Sequence, residues 1–384
     1  MNNFKQASKC RVCGHEFFDE PLLRYENMPK AAQFMPDAGS LKNDRGVDLE
    51  VCQCMGCGLV QLSNIPVPYY REVVRASAVS EEMKDFRKKQ FSRFVNEYSL
   101  QRKKIIEIGC GKGEFLSIMQ QFITETYGLE YSKESVADCE KSGLKVSQGF
   151  IETGDYKLNR SPFDAFFILN FLEHLPQPNS VLQGIYRNLT EGGIGLIEVP
   201  NFDMILRKKL FSEFTGDHLF YFTRETLNST LWLNGFEIVD CKVEWYDYII
   251  SVVVKKKRKA NLSDFHNAQV KLKNEIEGYL SLFKDKKIAI WGASHQALAI
   301  ISLLNLAGKI TYVIDSATFK QGKFTPATHI PIVAPEKLYS DPVDAVIVMA
   351  AGYSDEVARI IRQKFDKNMN ISILRDFGLE IIKP

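Results

Sequence analysis

Three groups of residues in this 384-residue chain have the types and spacing that chemistry requires. The first is Glu107-x-Gly109-x-Gly111-x-Gly113, where an apolar run from Ile105 to Ile108 gives way to alternate glycines. Glycines at this spacing let the backbone turn sharply and approach a ligand that a Cβ would exclude. Glu107 is placed to accept a hydrogen bond from a ligand amine or from the loop. Glu130 then closes a second strand pattern about twenty residues on, where an acid can grip two ribose hydroxyls. The second group is Cys10-x2-Cys13 with Cys54-x2-Cys57, two knuckles that together make a closed tetrahedral zinc site of the structural kind. Cys52 is a spare that can replace Cys54, and His15 is a weaker candidate. The third is Asp217-His218. A histidine titrates near 6.5 when unperturbed and can serve as a base, with the neighbouring carboxylate orienting it. His174 is the rival base.

The elements that must position these groups follow from periodicity. A helix pattern from about Ser80 to Tyr98 puts Met83, Phe86, Phe91, Phe94 and Val95 near one face. Strand and helix patterns then alternate, with strands expected at 105–108, 125–130, 144–147, 163–169, 194–199, 236–244 and 248–254. The last two lie close together, as in an antiparallel pair at a sheet edge. Ligands of such sheets bind at the carboxyl ends of the strands, where Gly109, Glu130, Phe150 and Asn170 all fall. Asp217-His218 lies in the loop after the fifth strand, at the mouth of that site.

Lys255 to Lys259 reads as a solvated linker. Beyond it, Ile288 to Ala297 is a second strand–turn–helix pattern, with Ser294 where a second glycine of G-x-G would stand, so it points only weakly to NAD. Lys320, Lys323 and His329 lie in one loop, and Tyr353 with Ser354 opens a helix whose amides make a natural anion site. Such a unit can hold a diphosphate. The expected division is a zinc module at 1–66, a sheet domain at 67–258 and a Rossmann-like α/β unit at 259–384.

The formal net charge of +2 is too close to neutral to argue for nucleic acid or an anionic membrane as partner. The first residues show no apolar stretch and no run is long enough to span a bilayer, so a cytoplasmic protein with reduced cysteines is expected.

The glycine pattern alone also opens dinucleotide-binding folds. Together with Phe163-Asp and the segment Leu172-Glu-His-Leu-Pro-Gln-Pro178, it resembles class I methyltransferases that use S-adenosylmethionine. The resemblance implies a seven-stranded, mostly parallel sheet, with Glu107, Gly109, Gly111, Gly113, Glu130, Phe150 and Asn170 around the cofactor. Adding the four cysteines, Asp217-His218, and Asp315 with Lys320-Gln-Gly-Lys-Phe-Thr-Pro326, nearly the whole chain resembles the sugar C-methyltransferase family. That family acts on nucleotide-linked 4-keto-deoxysugars, so the resemblance implies a nucleotide diphosphate sugar as substrate. It also implies a base that removes the proton beside the ketone, and an enolate that attacks the methyl sulfonium. The family pattern Tyr-x-Glu-His reads Thr215-Gly-Asp217-His218 here, and a further family tyrosine falls at Arg75 or a neighbour, with Tyr69 and Tyr70 close by. Tyr70 is the expected phenol. An O- or N-methyltransferase of another metabolite and a zinc-containing, nucleic-acid-binding or RNA-modifying protein are the alternative readings.

Overall fold

The computed structural model describes residues 5–30, 33, 35–72 and 79–383; Arg75 lies outside the described residues. Strands β1 (Leu23–Met28), β2 (Val47–Gln53) and β3 (Val60–Leu62) form an antiparallel meander in the cysteine-rich segment. Apolar runs then give β4 (Ile105–Ile108), β5 (Thr126–Glu130), β6 (Lys145–Gln148), β7 (Phe163–Leu169) and β8 (Leu189–Pro200). β9 (Phe220–Tyr221) follows, then β10 (Phe236–Glu244) and β11 (Ile249–Lys256).

Seven of these make one sheet in the order β10-β11-β8-β7-β4-β5-β6. The five strands from β4 to β8 that belong to it run parallel, and β10 and β11 are antiparallel at one edge. This is the sheet expected of a class I methyltransferase. Every residue of β4 and β5 is buried, as helices covering both faces of a parallel sheet require.

β9 belongs to a different sheet. It pairs antiparallel with β3, so the meander of the cysteine module gains its fourth strand from the loop beyond β8. One apolar core accordingly runs from Val12, Leu49 and Leu59 through Leu219 and Phe220 to Ile106 and Ile168. The cysteine module and the seven-stranded sheet fall within one compact unit, Met1–Arg258.

The helix Glu81–Glu97 is capped by Ser80, whose hydroxyl accepts from the Met83 amide at 3.1 Å. Phe91, Phe94 and Val95 are buried as their spacing predicts, but Arg87 and Gln90 are buried with them. Periodicity missed these polar positions because their partner, Glu198, comes from the carboxyl end of a distant strand, β8. Arg87 Nη1 stands 2.5 Å from Glu198, and Gln90 links Arg87, Glu198 and Glu244 at 2.5–2.8 Å. The basic run at 255–259 also departs from expectation. Lys255 and Lys256 complete β11, and Lys256 is buried, with its ammonium on the Leu189 carbonyl at 2.9 Å and on Glu191 at 3.0 Å. A long stem covering apolar surface while its head meets oxygen makes this possible.

Lys259–Pro384 is the second unit. It contains β12 (Ile288–Trp291), β13 (Tyr312–Ile314), β14 (Ile332–Val333), β15 (Ala345–Val348), β16 (Asn370–Arg375) and β17 (Gly378–Ile382). The order is β14-β13-β12-β15-β16-β17, parallel except for β17. Strand order reverses at β12, which makes a crevice at its carboxyl end. Among the described residues, no helix is long and apolar enough to cross a membrane.

The buried Arg87–Glu198 pair gives a stability prediction. Arg87→Met strands a carboxylate in the core, so it should cost about 3–5 kcal/mol of unfolding free energy. Arg87→Met/Glu198→Leu should recover most of that, and urea denaturation of the three proteins measures both.

Candidate active site

The cysteine cluster is assembled by two tight turns brought together by the meander. The sulfurs of Cys10, Cys13, Cys54 and Cys57 all lie within 4.8 Å of one another. Cys10 to Cys57 is 3.7 Å and Cys13 to Cys54 is 3.3 Å. Four bonds of about 2.3 Å to a tetrahedral zinc put sulfurs roughly 3.8 Å apart, so the donor set fits that ion. Amides of Val12, Gly56 and Cys57 and the side chain of Gln61 donate to these sulfurs at 3.2–3.4 Å, which favours thiolates. The hydrogen bond shared by Cys10 and Cys57 draws the Cys10 thiol down to about 4 and pushes that of Cys57 up. Cys52 stands outside the group, and burial raises its pKa. His15 is also outside, against Gly56.

The cofactor cleft forms where β4 ends. Gly109, Gly111 and Gly113 have φ of 73°, 54° and 80°, the left-handed region that favours glycine. A Cβ on Gly109 would lie 2.7 Å from the Phe171 ring, and one on Gly113 would lie 2.3 Å from Leu144. At the tip of β5, Glu130 accepts the Gly111 amide on one oxygen and the Ser132 amide on the other, both at 2.9 Å. Each oxygen keeps a second lone pair for a diol. Burial raises the Glu130 pKa, against the pull of those amides.

Glu107 is buried within β4, and Asn170, at φ 49°, is exposed just past β7. The wall opposite the glycines is aromatic. Phe150 meets Tyr131 at 6.4 Å, Phe171 at 6.5 Å and Tyr70 at 5.8 Å, each edge to face. Arg71 lies over Tyr70, Tyr131 and Phe150 at 5.1–5.4 Å and pairs with Glu152 at 2.7 Å. Sequence reading missed Arg71; its place next to the Tyr69-Tyr70 pair was the available signal.

Tyr69 and Tyr70 part company. Tyr70 is buried against the cleft wall, and burial raises its pKa. Tyr69 turns the other way and donates its hydroxyl to Asp217 at 2.6 Å. Two consecutive residues therefore connect the cofactor cleft with the Asp217-His218 loop, and the phenol on Asp217 is that of Tyr69. Around it, His174 Nδ1 is 2.9 Å from the Asp217 carbonyl, which makes that nitrogen the protonated one. The His174 and His218 rings meet edge to face at 4.7 Å. Burial, then the neighbouring His174, lower the His218 pKa to about 3 against the pull of Asp217; burial lowers that of His174 to about 4. Glu173 is wholly buried, which raises its pKa to about 8.

In the second unit, Asp315 just beyond β13 accepts the Ala293 amide at 2.8 Å and the Lys320 ammonium at 2.9 Å. Lys320 is thus tied inside the loop. Ser354 is likewise buried, its hydroxyl accepting the Ala350 amide at 3.2 Å. Ser294 caps the helix His295–Leu303. Lys323, His329 and Tyr353 are exposed.

A glycine loop under a strand, an acid on the next strand and an aromatic wall define an S-adenosylmethionine-dependent methyltransferase. Residues 79–240 match the family model described as a methyltransferase domain, and residues 254–372 match the C-methyltransferase C-terminal domain. The chain belongs to the S-adenosylmethionine-dependent C-methyltransferase family. It is 21% identical to the C-methyltransferase NovU of Streptomyces niveus, over 92% of both chains. A ubiquinone biosynthesis O-methyltransferase of Pseudomonas entomophila is 32% identical over 101 residues, which is 25% of this chain and 43% of that protein. A solved S-adenosylmethionine-dependent methyltransferase from Clostridium acetobutylicum is 16% identical, over 49% of this chain and 96% of its own, with a TM-score of 0.39.

Gly109→Ala tests the cleft. The added methyl meets Phe171 and strains the turn, so S-adenosylhomocysteine affinity should fall by about tenfold or more, ~1.4 kcal/mol, measured by calorimetry. Gly111→Ala, whose Cβ meets nothing within 4 Å, carries only the strain of its φ and should cost less.

Proposed function

We propose that the enzyme methylates a carbon beside the ketone of a nucleotide-linked deoxysugar. The observation that carries this reading is the Tyr69-Tyr70 bridge, which joins the cofactor cleft to a buried Asp217 beside a half-buried His218. Methyl transfer to carbon needs a base within reach of an acidic C–H and stabilisation of the developing oxyanion. S-adenosylmethionine supplies the electrophilic methyl group. Gly109, Gly111 and Gly113 give it room, Glu130 takes its ribose, and Glu107, Phe150 and Asn170 complete the surroundings of its site.

The base belongs to the Asp217-His218 pair. It takes the proton next to the carbonyl, and the C–H electron pair becomes the enolate. The enolate carbon then bonds to the methyl group as the S–CH3 bond breaks, with that pair left on sulfur. The ketone is restored, and the proton leaves for water. Tyr69 holds the Asp217 carboxylate in place, and Tyr70 lines the cleft.

The second unit is the candidate holder of the nucleotide, and its crevice at β12 supports that reading. Lys323, His329 and Tyr353 are its exposed candidates for the diphosphate, while Lys320 and Ser354 fix the loops that carry them. The cysteine cluster is proposed to hold one structural Zn2+.

A thermal-shift screen with S-adenosylhomocysteine present and dTDP, UDP, GDP or CDP added tests the substrate class. One nucleotide should raise Tm in proportion to the logarithm of its concentration. A melt that responds to the homocysteine product and to none of the four would overturn the nucleotide-sugar reading. For the cysteine cluster, a mercurial titration should release one zinc per chain and lower Tm by several degrees, consistent with a site that closes a fold.

A further inference from the structure

Glu173, His174 and His218 form a cluster that the scheme above leaves mostly unused. One carboxylate oxygen and one ring nitrogen from each imidazole lie within 4.8 Å of one another. Glu173 Oε1 is 3.9 Å from His174 Nε2. Glu173 is 1% exposed, and its Oε2 accepts no hydrogen bond among the described residues. A buried carboxylate oxygen in that position is costly unless something else binds it.

His174 is held as metal-binding histidines are held. Its Nδ1–H donates to the Asp217 carbonyl, which fixes the ring and turns the Nε2 lone pair toward Glu173 and His218. The backbone is fixed as well: the Leu219 amide donates to the Glu173 carbonyl at 2.8 Å. His218, from the opposite loop, is half-buried, whereas Glu173 and His174 are buried.

We propose that Glu173, His174 and His218 bind a divalent first-row transition cation. Two imidazoles and one carboxylate suit such ions, and three protein ligands leave positions open for water or substrate. Bonds of about 2.1 Å set ligand atoms roughly 3.0–3.5 Å apart, so the present cluster closes on an ion with a contraction of under ~2 Å.

The inference deepens the proposed function by dividing the Asp217-His218 pair. His218 becomes a ligand, and Asp217, steadied by Tyr69, becomes the base. The ketone oxygen takes an open position on the ion, which holds the negative charge as the C–H proton passes to Asp217. The enolate carbon then uses that electron pair to bond to the methyl group, the S–CH3 pair stays on sulfur and cancels the sulfonium charge, and the neutral ketone is restored on the ion.

Manganese titration of the whole 384-residue chain, with its cysteine site left as isolated, tests the ion without turnover or a sugar. Thiolates favour softer metals, so the cysteine cluster competes poorly for Mn2+. Free Mn2+ read by electron paramagnetic resonance should show one site per chain, with Glu173→Gln and His174→Ala each weakening it tenfold or more. Glu225→Gln, at an exposed position outside the cluster, should leave it unchanged.

Should a variant fail to fold, substoichiometric Mn2+ added to the wild-type protein should broaden the ring signals of two of the six histidines. No binding, equal binding by wild type and Glu173→Gln, or broadening of other histidines would overturn the proposal. A protein that takes a nucleoside diphosphate but no Mn2+ keeps the proposed function and loses the ion. Binding of Mn2+ without any nucleotide gives the reverse.

Discussion

Three strands of chain are stitched together at Leu219, and the candidate active site depends on that stitch. The Leu62 amide of β3 donates to the Leu219 carbonyl at 2.9 Å, while the Leu219 amide donates to the Glu173 carbonyl at 2.8 Å. β9 continues the pairing onto β3, and the His174 ring takes the Asp217 carbonyl one turn earlier. A loop carrying Asp217 and His218 would otherwise pay its own ordering entropy. Here the cysteine module holds it on one side and the turn after β7 on the other. The module is therefore a structural arm of the candidate site.

A second consequence concerns the cofactor cleft. Its floor is backbone at left-handed φ, and its far wall is a set of aromatic rings under the Arg71 guanidinium. Glycine geometry fixes the floor rigidly. Part of the wall, Tyr70 and Arg71, comes from the segment that also delivers Tyr69 to Asp217. Neighbouring residues of one turn thus reach both the glycine cleft and the Asp217-His218 loop, so a shift of that turn moves both contacts.

The two units repeat one device. In the first, Glu130 at the tip of a strand accepts a loop amide from Gly111; in the second, Asp315 just beyond a strand accepts one from Ala293. The outcome differs because Lys320 closes over Asp315. An acid neutralised by its own loop is a brace, whereas Glu130, with no lysine upon it among the described residues, keeps lone pairs for a ligand.

Sequence alone determined the sheet domain, since buried parallel strands read as short apolar runs and the glycines mark a turn that only glycine makes cheaply. It also pointed to the two x2 knuckles, each able to present two sulfurs locally, but left Cys52 as an alternative to Cys54 until the fold placed Cys54 in the cluster. Tertiary structure decided whatever depended on residues far apart in the chain. It chose Tyr69 over Tyr70 for Asp217, buried Arg87 and Gln90 beside Glu198, tied up Lys320 and Ser354, and set Glu173 and His174 against His218. Periodicity reports which face of an element is apolar. It carries no information about which polar group arrives from another element to meet it, and every one of these contacts is of that kind.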